Sequence, residues 1–326
     1  MSNGAALPRL VVVGAGLAGL TAAQALTDAF DVIVLDKGRG FGGRMATRRI
    51  GDATFDHGAQ FFTTHTPEFA AVVDEWVAAG VAEPWFHGRI GPHGVVDPDG
   101  HTRFRGVASM NAVARHLATG LDVRRSTAVS AVARQGDTWQ VRTEAESFDA
   151  DAVLLTPPVP QSLTLLAAGE VALAAADQAA LRAISYEPCL ALLAVLAGPA
   201  GLPEPGAVDP ADGPIDWMAD NHRKGVSAEP AVTIHATAEF SREHWSTPDG
   251  EVAALLLAAA GLAAAPTPDG VQVQRWRYAR PVDVHPQRCL AAEGLPGLLF
   301  AGDAFGGAKV EGAVLSGRAA ADILRR

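Results

Sequence analysis

Cysteine, lysine and long apolar runs are all scarce in this chain of 326 residues, and each scarcity excludes something. The two cysteines, Cys189 and Cys289, stand 100 positions apart with no CxxC pair or Cys/His cluster. That spacing excludes a structural zinc site and a dithiol redox centre. One disulfide or two free thiols both remain open, and a reducing compartment favours the thiols. Only Lys37, Lys224 and Lys309 are lysines among 26 basic residues, against 36 acidic ones and a net charge of -10. A field of that sign repels phosphate backbones, so no nucleic-acid partner is expected. No apolar run reaches the roughly 18 residues that span a bilayer. The longest, 252–265, is bounded by Glu251 and Pro266. The run 10–20 lacks a basic leader and is broken by glycines, so it reads as strand and turn rather than as a signal peptide. A cytoplasmic protein without membrane or metal partners is expected.

What is present is a composition that buries a large core: 48% hydrophobic and 19% charged residues, at a length that suits about two domains. Leu10-Val11-Val12-Val13 is a continuous apolar run, the pattern of a strand buried on both faces of a parallel sheet. Gly14-Ala15-Gly16-Leu17-Ala18-Gly19 follows, then an Ala-rich helical stretch over 20–29, then a second apolar strand, 31–35, closed by Asp36. This is a βαβ unit with GxGxxG at its first turn and an acid at the tip of its second strand. Gly14 permits the tight turn, Gly16 lets a pyrophosphate approach, and Gly19 lets helix and strand pack closely. The helix start offers unpaired N–H groups and a partial positive charge to phosphate, and Asp36 accepts from ribose hydroxyls.

Two further segments narrow the dinucleotide. Lys37-Gly38-Arg39-Gly40-Phe41-Gly42-Gly43-Arg44-Met45 is glycine-rich and basic and continues directly from the second strand. It resembles the RxGGR extension of the FAD-binding amine-oxidase superfamily, in which the second arginine, here Arg44, reaches the pyrophosphate. Near the other end, 298–303 reads as a buried strand closing on Gly302-Asp303, and 306–313 leads into a last helix expected over 314–324. There Asp303 would bind the ribityl chain, and Val310, Glu311 and Ala313 would lie at a helix start aimed at the pyrimidine side of the flavin. That dipole favours negative charge on the ring. Two motifs almost 300 residues apart that serve one cofactor require the two chain ends to meet.

The blocks 36–49, 55–63 (FDHGAQFFT), 104–118, 275–281 (RWRYARP) and 300–317 together resemble the bacterial renalase family. The resemblance spans nearly the whole chain. It implies an α/β fold: an FAD-binding Rossmann-like domain, p-hydroxybenzoate-hydroxylase-like, with a discontinuous α+β substrate domain. The domains are expected as 1–65, 104–163 and 285–326 for FAD, and 66–103 and 164–284 for substrate. It implies one noncovalent FAD and oxidation of the 2- or 6-dihydro isomers of NAD(P)H to NAD(P)+. Hydride passes to flavin N5, and O2 is reduced to hydrogen peroxide. Two alternatives stand beside this reading: an amine oxidase of the same superfamily, and a flavin-binding protein without turnover.

The same resemblance assigns further residues. Gly58, Ala59 and Gln60 in the DHGAQ block pass near the isoalloxazine, Val129 offers backbone groups to the adenine, and Thr156 follows the strand over 151–155. Lys309 stands where the amine oxidases carry a cage aromatic, and a lysine there repels an ammonium substrate. With His57, Gln60 and Trp276 it forms the expected catalytic set. Trp217, Asn221, Arg223, His235 and Tyr278 are the expected substrate contacts, Arg223 or Lys224 meeting a pyrophosphate. No acid–base pair is expected, because a dihydropyridine that loses hydride becomes aromatic without losing a proton. Strands are also expected over 121–133, 139–143, 190–196 and 231–238, and a helix over 252–262.

Overall fold

A computed structural model describes residues 6–326, which divide into two compact units. The first holds the chain to Gly43, Ala114–Ser185 and Pro281–Arg326; the second holds Arg44–Val113 and Tyr186–Arg280.

The first unit is built on a six-stranded sheet with Arg9–Val13 near its centre, flanked by Asp31–Leu35 and Ala152–Leu155 in parallel. Asp122–Arg124 extends it in parallel on one side, and Leu298–Phe300 on the other. Leu290–Ala291 closes the latter edge antiparallel. Leu10, Val11 and Val12 have no exposed surface, as expected of a strand covered on both faces. The helices Leu17–Leu26 and Lys309–Leu324 lie against each other so closely that a Cβ on Gly317 would stand 2.3 Å from the Ala18 carbonyl oxygen. The two ends of the chain therefore do meet in one body. An antiparallel sheet of Val129–Gln135, Thr138–Thr143 and Ser147–Ala150 completes the unit.

The single strand expected over 121–133 is instead two strands in different sheets. Between them Ser126 takes the left-handed conformation (φ 54°), and the Ser126 and Thr127 N–H groups donate to the Gly38 and Asp36 carbonyls. The last helix begins at Lys309 rather than 314, because Gly306 and Gly307, both at positive φ, complete the turn that precedes it.

The second unit has a five-stranded sheet in the order Ala207–Val208, Ile215–Asp220, Ala231–Ala236, Tyr186–Leu196, Pro266–Pro281. Leu190, Leu192, Met218, Val232 and Ile234 form one face and pack on helix Asp249–Ala260 through Val252 and Leu256. That helix starts three residues before the expected 252 and stops at Gly261 (φ 59°), a left-handed C-cap. The opposite face carries Leu193 and Ala231 against Ala53 and Phe55 of the Thr47–Ile50/Ala53–Asp56 hairpin. The strand expected over 231–238 ends at Ala236, where the Thr237 hydroxyl caps helix Ala238–Glu243 by accepting from Phe240 N–H. A long hairpin, Ala82–Gly91 with Gly94–Gly106, and the helix Pro67–Ala78 finish the unit.

These units differ from the expected domain limits. Residues 44–65 and 104–113, assigned to the FAD domain, pack within the second unit, and 164–185 and 281–284, assigned to the substrate domain, pack within the first. Compactness follows local burial, whereas the expected limits followed cofactor motifs.

Candidate functional site

The first unit carries the nucleotide cradle. Gly14 (φ 105°) donates its N–H to the Leu35 carbonyl (2.8 Å), which folds the turn back onto the second strand. A Cβ on Gly19 would lie 2.1 Å from the Gly14 carbonyl oxygen, so only glycine allows the helix to start so near the strand. Asp36 accepts from Ala15 N–H and Gly38 N–H, both at 2.6 Å, and so ties the glycine turn to the start of the Lys37–Gly43 segment. The Gly42 N–H donates to the Ala15 carbonyl (2.9 Å) and draws that segment back over the turn. Thr156 donates its hydroxyl to the carbonyls of Val13 (2.8 Å) and Gly14 (3.2 Å).

Two features fit a dinucleotide. No side chain caps the helix that starts at Leu17 and Ala18, which leaves its first N–H donors for an anion. A Cβ built on Gly16 would meet nothing within 4 Å, so the approach is open. Lys37 donates to Gln161 at the surface (3.1 Å), and the Arg39 side chain is exposed. Gly43 (φ 54°) ends the unit's part of this segment. Val129 opens its strand.

At the far end of the same unit Gly302 (φ 146°) donates its N–H to the buried Ser316 hydroxyl (2.8 Å), and Asp303 beside it is buried. The last helix also starts without a side-chain cap. Val310 is buried, Glu311 and Ala313 are half-buried, and Lys309 is exposed at φ 71°. A non-glycine residue held there stores strain of about 1 kcal/mol or more.

The second unit gathers the aromatic and imidazole side chains. Arg44 and Met45 open it in a short 3-10 turn, Met45 buried and Arg44 donating to the Tyr278 (3.5 Å) and Ala279 (3.4 Å) carbonyls. Gly58 packs on Arg44: a Cβ there would stand 1.9 Å from the Arg44 carbonyl oxygen, which also accepts Ala59 N–H (2.8 Å). The His57 ring stacks on Trp276 with centroids 5.1 Å apart and planes 15° apart. Its carbonyl accepts from Trp276 Nε1 (3.0 Å) and from His235 Nε2 (3.3 Å). His235 in turn lies directly opposite Trp217 across adjacent strands, and Trp217 tilts against Phe61 at 5.3 Å. One cluster therefore joins His57, His235, Trp217 and Trp276.

Burial pushes both imidazoles down to about 4, helped for His57 by Arg48 and by His235, and opposed for His235 by its bond to the His57 carbonyl. Both rings are therefore neutral near pH 7. His57 Nδ1, Gln60 Oε1 and Trp217 Nε1 are buried without hydrogen-bond partners among the described residues, while Gln60 Nε2 donates to the Asp56 (2.6 Å) and Gly58 (3.0 Å) carbonyls. Unpartnered buried polar atoms are rare in native proteins, and three of them stand in or beside this cluster.

The basic cluster at 221–224 separates. Arg223 turns to the surface, pairing with Glu204 and donating to the Leu202 carbonyl (2.7 Å). Asn221 is wholly buried, accepting from Asp56 N–H (3.1 Å) and donating to Thr233 Oγ1 (2.9 Å), so the expected substrate contact is replaced by an internal tie. Lys224 is likewise wholly buried, its Nζ 2.9 Å from Asp56 Oδ2, which rules out its expected meeting with a pyrophosphate. Tyr278 meets Tyr186 edge-on at 5.4 Å. Asp56 and Phe61 were not singled out from the sequence. The cue for Asp56 was its place at the end of an apolar strand, directly before His57. Both cysteines are free, and burial pushes the Cys189 thiol up to about 12. Among the described residues no helix is long and apolar enough to cross a membrane.

Residues 12–76 match the NAD(P)-binding Rossmann-like domain, and residues 87–325 match the flavin containing amine oxidoreductases. The chain belongs to the flavin containing amine oxidoreductase family. FAD is accordingly its cofactor, and the protein is an FAD-dependent oxidoreductase that acts on a small molecule. Renalase from Mus musculus is 25% identical over 345 residues, covering 98% of this chain and 99% of that protein, which bears out the renalase-like motifs. A putative protoporphyrinogen oxidase from Exiguobacterium sp. 255-15 shares the fold at TM-score 0.74 and 14% identity, over 98% of this chain and 99% of that one. A putrescine oxidase bound to putrescine shares it at TM-score 0.65 and 18% identity, with coverage of 98% and 99%. The expected α/β class with a Rossmann-like FAD-binding part is thus observed.

Proposed function

We propose that this family member is a renalase-type oxidase, converting 2- or 6-dihydro isomers of NAD(P)H to NAD(P)+ with release of hydrogen peroxide. The observation that carries the reading is the similarity to renalase over 98% of this chain, with the DHGAQ turn set in an uncharged ring cluster. FAD, when bound, would supply the two-electron acceptor, with O2 as the terminal oxidant.

The chain's own residues have positioning tasks. The Gly14–Gly19 turn and the uncapped helix after it would receive the pyrophosphate, Asp36 the adenosine ribose and Asp303 the ribityl chain. The family resemblance would assign Gly58, Ala59 and Gln60 to the flavin ring. His57, kept neutral by burial, neither donates a proton nor repels the pyridinium product. Trp217, Trp276, His235 and Tyr278 offer flat surfaces to a planar donor. A donor that becomes aromatic on losing hydride needs no base, and burial leaves both imidazoles of this cluster only weakly basic. Lys309, exposed at a helix start, disfavours a cationic amine.

The test is anaerobic stopped-flow mixing of the holoenzyme with each dihydronicotinamide isomer, ordinary NADH and a panel of amines. Rapid bleaching of the flavin absorbance by the 2- or 6-dihydro isomers alone is expected. Bleaching by amines would establish the amine-oxidase reading, and bleaching by ordinary NADH alone a conventional NADH oxidase. A flavin that stays oxidised with every donor would mean a binding protein without turnover.

A further inference from the structure

Asp56 ends the strand Ala53–Asp56, and after it the chain runs as the irregular turn 57–61, with no ladder of its own beyond one bridge at Phe62. Six hydrogen bonds that fix the near end of this turn converge on Asp56. Its carboxylate accepts from Lys224 Nζ (2.9 Å), Met110 N–H (2.9 Å) and Thr47 Oγ1 (3.2 Å). Its own N–H donates to Asn221 Oδ1 (3.1 Å), and its carbonyl accepts from Gln60 Nε2 (2.6 Å) and Thr233 Oγ1 (2.9 Å). The Lys224 ammonium also lies 5.0 Å from the centre of the Trp85 ring. Both side chains of the ion pair have zero exposure.

A buried ion pair is a poor way to gain stability. Desolvating two charges offsets most of their attraction, and apolar replacements of similar size are often neutral or stabilising. What such a pair does supply is direction. Six hydrogen bonds, five of them to residues outside its own turn, leave Asp56 one position. The next residue is His57, and the fourth along is Gln60, whose amide is anchored on the Asp56 carbonyl itself.

We infer that Lys224 is a positioning residue, which acts through Asp56 to set the His57–Gln60 turn against the bound flavin. This rests on the reading that the turn faces the flavin ring. Lysine suits the task because a compact ammonium fits a closed site where a planar guanidinium does not.

The test compares holoenzymes carrying Lys224→Met, the neutral pair Asp56→Asn/Lys224→Met, and Asp56→Asn alone, which keeps an acceptor for Lys224 should the others fail to fold. Leu256→Ala, on the helix behind the opposite sheet face, controls for loss of stability alone. The neutral pair is expected to fold and retain FAD. Its flavin circular dichroism should change, and its limiting rate of bleaching should fall between about ten- and a hundredfold. Half-saturation by donor should move far less. Asp56→Asn is expected to move the same readouts in the same direction. Flavin dichroism and limiting rate that match Leu256→Ala would overturn the inference and leave the pair a purely structural tie. If no dihydronicotinamide isomer bleaches even the native enzyme, the functional reading fails, yet the dichroism still tests the placement of the turn.

Discussion

At the residue scale the two buried histidines make a measurable claim about pH. Both are held at about 4 in the folded chain, below their ordinary 6.5, chiefly by burial. Between those values the unfolded chain binds more protons, so stability rises with pH through this window. The contribution is present in full above about 6.5, is lost as pH falls toward 4, and levels off below. Lowering pH from 7 to 5 should therefore remove roughly 2 kcal/mol per histidine. His57→Gln should show a fall smaller by about that amount in denaturant titrations at the two pH values. Carboxylates protonate alike in both proteins and cancel in the difference. The same scale shows why neighbours in sequence misled. Arg223 and Lys224 read as one basic patch, yet the turn after Asp220 sends the first to Glu204 at the surface and the second inward to Asp56, 168 positions earlier.

At the scale of elements, close backbone approach decides the nucleotide-binding unit. Gly19, Gly312 and Gly317 each sit where a Cβ would enter another segment's carbonyl: Gly14 at 2.1 Å, Gly307 at 1.7 Å and Ala18 at 2.3 Å. The Gly317 contact joins the first helix to the last and so joins the two halves of the cofactor motif. Gly317→Ala should cost about 1–3 kcal/mol by forcing the helices apart. Thermal melts and the flavin-to-protein absorbance ratio should show both a lower Tm and a lower FAD content. Gly250, where a Cβ meets nothing and φ is ordinary, lies far from this seam in sequence and is a suitable comparison for Gly→Ala alone. The strands and the helix starts with glycine turns were legible because their signals are local. The break at Ser126 was not, because the carbonyls that hold it belong to Asp36 and Gly38 on another strand's extension.

For the whole molecule, an acidic chain with a net charge of -10 takes up an anionic cofactor. Long-range attraction cannot supply that affinity. Short-range donors at two uncapped helix starts can, since their field decays within a turn and ignores the distant surface. Cys289 precedes Asp303 by 14 positions and stands outside the cofactor motifs, so noncovalent FAD is expected. Denaturation should release the flavin entirely into the filtrate of a size-cutoff membrane. Returning FAD to the stripped, refolded protein at a hundred times its Kd should restore about 2.7 kcal/mol of stability. Flavin retained on the denatured chain would contradict this.

The βαβ unit, its irreplaceable glycines, the acid at the strand tip and the partner motif near the C-terminus can all be read from the order of residues. These follow from backbone geometry within a few residues, where pattern and structure are the same thing. Only the tertiary structure decided that Lys224 answers Asp56, that Asn221 is an internal tie, and that two histidines stay neutral. Charge state and hydrogen-bond partnership depend on burial and on which distant segments arrive, and no local pattern encodes either.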